Sequence, residues 1–456
     1  MWEANMRFAV KDTLTEEEIQ SGLRSIIKDG LATQMMVTLT GGVFLVAFAL
    51  KLGASNTIIG LLAAIPPLAQ LIQIPSVYLI EKYRVRRAIC VYATFLSRIL
   101  WLIIALIPVL FFEAGLAVLI AALLLYAILG AVGGTSWNSW MRDLVPQDSL
   151  GAFFAKRMGM ATALGIVISM AAAFYIDYWE TIFPDYELYS YSILFFFGFL
   201  AGMLGVYFVS TIPEPRMAPV EVKTKFFDLI LQPFRDTNFK NLVIFLGSWS
   251  FAVNLAAPFF TVYMLTLLQL DMSFIIALMV LSQLTSLAFL RIWGGFSDRF
   301  SNKSVLGVSG PVFMLCILAW TFTTMPEKYI LTIPLLIAIH IFMGISTAGV
   351  TLASGNIGLK LAPKGQATAY LAANSIVNSL AAGIAPVLGG IFADFFARYK
   401  LTWNLTLTSP EWELVIPTLN LQQWDFFFFL AFLIGFYSIH RLAMVKEEAR
   451  LSDLHI

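Results

Sequence analysis

The chain has 456 residues, of which 59% are hydrophobic and 12% charged, with a formal net charge of +1 and a mean hydropathy of +0.82. So little charge excludes an ordinary soluble domain, in which about a quarter of residues are charged. The balanced sign excludes a general attraction to nucleic acid. Cys90 and Cys316, the two cysteines, lie in apolar segments of different halves and read as small hydrophobes, not as a disulfide.

The first residues lack the basic start, short apolar core and small-residue cleavage site of a signal peptide. Thr15 and Glu18 instead form a capping box, and Ile19, Leu23, Ile26 and Ile27 recur at helical spacing after it. This predicts that residues 1–30 are a cytoplasmic segment whose amphipathic helix lies on the membrane surface, or else a solvated lead-in to the first span. Apolar runs long enough for a hydrocarbon core of about 30 Å follow. Six lie at residues 31–51, 57–80, 88–111, 115–138, 158–177 and 190–211, and six more at 241–266, 274–296, 305–325, 330–352, 368–393 and 424–443. The predicted domains are an N-terminal six-helix half over 31–211, a charged, Pro-containing cytoplasmic linker over 212–240, a C-terminal six-helix half over 241–443 and a cytoplasmic tail over 444–456.

A charged turn closes the eighth run: Trp293–Lys303, reading WGGFSDRFSNK. Its acid, base, aromatic and further base are Asp298, Arg299, Phe300 and Lys303, and the same order occurs as Glu81, Lys82, Tyr83 and Arg86, offset by 217 residues. Pro146 maps to Pro363 and Asp177 to Asp394 at that same offset, so the chain reads as a duplication; past Asp394 an extra segment from about Arg398 to Gln423 breaks the register. With the N-terminus inside, 24 of the 29 basic residues fall on the cytoplasmic side, which places both termini in the cytoplasm.

The turn Gly294–Lys303 resembles the signature loop of the major facilitator superfamily, which joins spans two and three and recurs between eight and nine. The resemblance covers essentially the whole chain. It implies an all-α polytopic membrane protein, twelve transmembrane helices in two six-helix halves related by a pseudo-twofold, with a substrate site between the halves. The first-half copy departs from the pattern, with Val77 where a glycine is expected and Glu81-Lys82 in place of Asp-Arg. Glu81, Lys82, Arg86, Asp298, Arg299 and Lys303 are therefore candidates for a cytoplasmic gate, with the second turn the better latch; the alternative is that the bases only fix topology. Span eleven carries Pro386-Val387-Leu388-Gly389-Gly390, similar to the end of an antiporter motif of span five, but span five here has no such proline, so the stretch reads as a packing kink.

By the same resemblance, spans one, four, seven and ten line the cavity. Their polar stripes are Gln34, Thr38 and Gly41; Tyr126, Gly130, Gly133 and Trp137; Ser250, Asn254 and Pro258 beside Trp249; and His340, Gly344, Thr347 and Thr351. Small residues on such faces equally suit helix packing. His340 and Arg98, ionisable and within spans, are candidates for coupling to a proton or another ion, against readings as a neutral hydrogen-bonded histidine and a structural arginine. Asp177 and Asp394 are candidates for an outer gate, against a reading as helix-end charges. Every other acid falls at a loop, a terminus or a span end, which speaks against coupling through a buried carboxylate.

No phosphate-binding loop or metalloprotease helix occurs, so no enzyme, cofactor or metal is expected. The expected activity is gradient-driven, rocker-switch transport of a small solute (sugar, drug-like or other metabolite) by a monomer in the cell (inner) membrane, its partners being the solute, the bilayer and a coupling ion. The rival is a non-transporting receptor or assembly factor with the same fold.

Overall fold

The computed structural model describes residues 10–217, 232–325, 327–362 and 367–447; Pro363 and Lys364 lie outside them. Twelve helices among the described residues are long and apolar enough to cross a membrane. Spans one to six are Glu16–Lys51, Asn56–Tyr83, Arg86–Ala105, Phe112–Leu144, Gln147–Ile182 and Pro184–Ser210. Spans seven to twelve are Thr237–Thr266, Met272–Arg299, Asn302–Thr323, Thr332–Gly358, Tyr370–Phe396 and Trp424–Ala443.

The chain groups into two compact units. The first comprises Met1–Ala54, Ile65–Val222 and Asp271–Ile276; the second comprises Ser55–Ala64, Lys223–Leu270 and Ala277–Ile456. In the first unit span one packs on spans five and six, and span three on four and six; in the second, span seven packs on eleven and twelve, and span nine on ten and twelve. Each pair recurs six spans later, so the duplication seen in the charged turns is carried by the packing. Around this packing, large apolar side chains such as Ile384, Ile391 and Phe395 stand exposed, as helices do when their solvent is hydrocarbon.

Three local expectations change. The capping box is present, with the Thr15 hydroxyl accepting from the Glu18 N–H and the Glu18 carboxylate accepting from the Thr15 N–H. It starts span one itself: the helix runs unbroken from Glu16 to Thr40 and resumes at Gly42, so residues 16–30 are not a separate surface helix. The break falls where Gly42 takes φ +56°, a left-handed conformation that costs glycine little.

The signature stretch is mostly not a turn. The span-eight helix continues through Arg299 and the next helix begins at Asn302, so Gly294, Asp298 and Arg299 are helical. In the first copy the helix ends at Tyr83, and Arg84 turns the chain at φ 52°. Third, the extra segment before span twelve is an antiparallel β-hairpin, β1 (Lys400–Thr408) paired with β2 (Glu413–Gln422).

Within the second unit the Pro386–Gly390 stretch approaches neighbouring backbone closely. A Cβ at Gly390 would meet the carbonyl oxygen of Asn56 and the Cα of Thr57, and one at Gly389 the carbonyl oxygen of Leu255. At Gly294, by contrast, a Cβ would find no atom within 4 Å, so valine at that point of the repeat would obstruct nothing here. We expect Gly390→Val to destabilise the protein by about 1–3 kcal/mol through overpacking and Gly294→Val to leave stability unchanged. Thermal melts of the two purified variants check this, and equal losses would contradict it.

Candidate functional site

Helix starts leave N–H groups without partners in their own helix, and in this chain distant carboxylates supply them. In the second unit Asp394, at the end of span eleven, accepts from the N–H groups of Asn56 (3.1 Å) and Thr57 (2.8 Å), and also from the Asn56 amide and the Thr57 hydroxyl. In the first unit Asp177, on span five, accepts from the N–H groups of Met272 (2.8 Å) and Ser273 (2.9 Å) at the start of span eight. The acids are 217 residues apart and the capped positions 216 (272 − 56). Each acid belongs to one sequence repeat and the helix start that it holds belongs to the other.

A second pair of caps follows spans six and twelve. Glu214 is buried and accepts from the N–H groups of Arg86 (2.7 Å) and Arg87 (3.1 Å) at the start of span three. Glu447 accepts from the N–H groups of Asn302 (3.3 Å) and Lys303 (2.7 Å) at the start of span nine, and from Lys360 Nζ (3.0 Å). Here acid and helix share a repeat. Burial pushes the Glu214 carboxyl above its ordinary range, and the N–H groups of Arg87 and Arg86 offset only part of that. Burial acts in the same direction at Glu447, but the N–H of Lys303, the Lys360 ammonium and the Asn302 amide outweigh it and hold the group below its ordinary value.

The first unit contains a buried ionic cluster. Arg98 Nη2 lies 3.8 Å from Asp29 Oδ1, and Arg157 Nη2 lies 3.5 Å from Asp29 Oδ2. Arg98 also donates to the Gly202 carbonyl (2.7 Å) and the Thr33 hydroxyl (2.8 Å), and Thr33 donates to Asp29. Spans one, three, five and six thus meet at two guanidinium groups and one carboxylate, a local excess of one positive charge. The Arg157 guanidinium continues over the Trp137 ring, 5.0 Å from its centroid. The indole N–H of Trp137 has no hydrogen-bond partner. The expectation that no acid lies within a span fails at Asp29, because span one begins some fifteen residues earlier than its apolar run, on the order of four turns.

The remaining predicted residues divide. Gln34 donates to Thr38 (3.1 Å) along span one, and Tyr126 meets Trp101 edge-on at 5.3 Å. Trp249 is buried among Phe245 and Phe313, and Asn254 donates to the Ser250 carbonyl of its own helix (2.8 Å). His340 is buried, its Nδ1 2.8 Å from the Leu336 carbonyl and its ring edge-on to Trp320. Thr347 donates to the Met343 carbonyl (2.6 Å) and is exposed.

Of the predicted gate, Arg86 is fully buried and pairs with Asp143 and Glu214, while Lys303 Nζ donates to the Ala443 and Val445 carbonyls. Both are fastened within their own units. Lys82, Asp298 and Arg299 are exposed, and Glu81 is half-buried. Sequence reading missed Asp29, Arg157, Glu214 and Glu447. Glu214 and Glu447 each follow the sixth span of a repeat, but they are 233 residues apart (447 − 214), because the hairpin segment lengthens the second repeat.

The model of the Major Facilitator Superfamily matches residues 30–386 and, in a second match, 244–439. The chain belongs to this superfamily. Comparison with curated proteins gives no significant match. Among solved structures, superfamily-like folds recur at low identity. The nucleoside transporter NupG has a TM-score of 0.62 at 14% identity, covering 95% of this chain and 100% of its own. A bacterial homologue of the human lysosomal transporter Spinster, inward-facing and unoccupied, has a TM-score of 0.61 at 15% identity, covering 84% of each chain. A POT family transporter in complex with a thioalcohol-conjugated peptide has a TM-score of 0.59 at 12% identity, covering 94% of each. The likeness establishes the superfamily fold, and the protein is accordingly an integral, multi-pass member of a family of solute transporters.

Two outcomes are expected of the charged groups. Asp29→Asn leaves the buried Arg98 and the half-buried Arg157 guanidinium groups without their carboxylate and should cost about 3–5 kcal/mol; adding Arg98→Met should restore part of the loss. Thermal melts of both variants decide, and no recovery in the double variant would mean that the three groups do not act together. For Glu447 the folded pKa lies below the unfolded one, so its contribution is present above about pH 4.3 and is lost as pH falls through the folded value. Glu447→Gln should therefore flatten the acid limb of the melting-temperature profile.

Proposed function

We propose that the protein is a secondary active transporter that moves a small solute by rocker-switch alternating access. The observation that carries this is the reciprocal pair of caps at Asp177 and Asp394. Opening the membrane face at which spans five and eleven end separates each carboxylate from a helix start of the other repeat; closing that face restores four N–H···O bonds at once. Two acids then form the outer latch, each replacing water at helix N-termini that favour negative charge. Glu81, Lys82, Asp298 and Arg299 are left as the candidates for the inner latch, with Arg86 and Lys303 holding the helix starts behind them.

Within the first unit, the Asp29–Arg98–Arg157 cluster and Trp137 are the proposed solute and coupling groups. The excess positive charge, the face of the Trp137 ring and its unpartnered indole N–H suit a solute with an apolar or aromatic body and an anionic or strongly polar group. Gln34 and Thr38, hydrogen-bonded to each other further along span one, are proposed as further cavity residues. In the second unit, His340 keeps its proposed role only if its bond to the Leu336 carbonyl breaks during the cycle.

The test is uptake by proteoliposomes across a broad panel that includes nucleosides and peptides, which two fold neighbours carry in their names, together with sugars and amphipathic drugs. No uptake of any solute, under a proton or sodium gradient, would remove the transport reading. Asp177→Asn and Asp394→Asn together should shift the resting population toward the state open at that face, seen as at least about ten-fold faster cysteine labelling there, equivalent to about 1.4 kcal/mol. Unchanged labelling would remove the latch while leaving transport itself intact.

A further inference from the structure

The hairpin between spans eleven and twelve is the one described element that the transport reading leaves without a role. Its sequence alternates strictly in β1: Lys400, Leu401, Thr402, Trp403, Asn404, Leu405, Thr406, Leu407, Thr408. Directly paired residues of an antiparallel ladder share a face; the register pairs apolar with apolar along one face, while on the other Thr406 faces Val415. Leu401 faces Leu421, Leu405 faces Ile416 and Leu407 faces Leu414; between them, Thr402 faces Asn420 and Thr408 faces Glu413. One side of the hairpin is therefore an uncharged apolar ladder and the other is mainly polar. The apolar side stands open: Leu401 is 53% exposed, Leu405 59% and Leu407 56%.

The base of the hairpin is fixed to the two span ends. The Gln422 N–H donates to Asp425 in the first turn of span twelve (2.9 Å). Phe396 stacks on Phe426 with ring centroids 4.8 Å apart, and Phe395 on Tyr399 at 5.1 Å. The strands begin four residues after Phe396 and finish two before Trp424, so the hairpin springs directly from the ends of two spans. Ile384, Ile391 and Phe395 are exposed at helical spacing along span eleven, and the exposed Tyr399 and Leu401 follow them in the chain, so exposed apolar side chains lead from the span into the ladder.

We propose that this hairpin lies on the bilayer as an interfacial anchor, its apolar face against the headgroup–acyl boundary and its threonine face toward water. Each strand is about 30 Å long at 3.3 Å per residue, and an arm of that length standing in water would expose all of its apolar face. Sinking into the hydrocarbon is excluded, since a two-stranded sheet has two edges of unpaired N–H and C=O groups. Lying at the interface satisfies both demands: apolar side chains leave water and the edges keep it. Trp403 and Trp412, 70% and 53% exposed, are of the residue type that favours that depth. With no charge on the face, its chemistry is that of a neutral phospholipid surface.

Single cysteines at Leu405→Cys and Thr406→Cys, neighbours on opposite faces, test this in the full-length protein; Cys90 and Cys316 are buried and can stay. Each variant, labelled with an environment-sensitive fluorophore and held at one chain per phosphatidylcholine nanodisc, is challenged with shallow spin-labelled lipid and with iodide. The label at 405 should be quenched by the lipid about three-fold more than that at 406, with iodide showing the reverse order. Equal iodide access at both positions overturns the proposal. So does shielding of 405 that appears only when discs hold two chains, which would assign the face to a second copy.

Discussion

An N–H group at the start of a helix has no partner in that helix, and next to a bilayer there is little water to provide one. Four spans of this protein meet that need with carboxylates from far along the chain: Asp394 at span two, Asp177 at span eight, Glu214 at span three and Glu447 at span nine. Each places a carboxyl group at the positive end of a helix dipole. The four caps also sort by role. Glu214 and Glu447 hold helix starts of their own repeat, and those contacts persist in any rigid movement of a repeat; Asp177 and Asp394 hold helix starts of the other repeat.

The close approaches in the second unit follow from that constraint. Asp394 reaches Asn56 and Thr57 because Gly390, one turn earlier, lets the backbone of span two come near. The counterpart of Gly390 in the first repeat is Ala173, fully buried one turn before Asp177. A small residue followed by an acid four positions later is thus the local pattern at both ends. Span eleven then runs on into the hairpin, so the depth at which the hairpin rests on lipid also bears on the residue that caps span two.

The ionic cluster illustrates a different balance. Arg98, Arg157 and Asp29 are costly to bury and leave one positive charge in excess, but hydrogen bonds from Arg98 to Gly202 and Thr33 spread the guanidinium charge over polar neighbours. The arginine was visible in the sequence as a lone charge in an apolar run. Its partners came from spans one and five, which no spacing along span three can reveal.

The sequence by itself determined the number of spans, the six-plus-six duplication and the superfamily, because these rest on apolar run length and on a charged pattern repeated at a constant offset. It also singled out Asp177 and Asp394 as a matched pair. Only the tertiary structure decided what they bind, since the capped N–H groups belong to backbone and carry no residue signature. Span one was read too short for a related reason: its first turns are amphipathic because they pack on other helices, and hydropathy alone cannot distinguish protein from water as the neighbour. Glu214 and Glu447 escaped pairing because the hairpin adds residues to one repeat and hides the constant offset. The hairpin itself, alternating with period two between two helical runs, was legible in principle; that its apolar face lies open could be learned only from the fold.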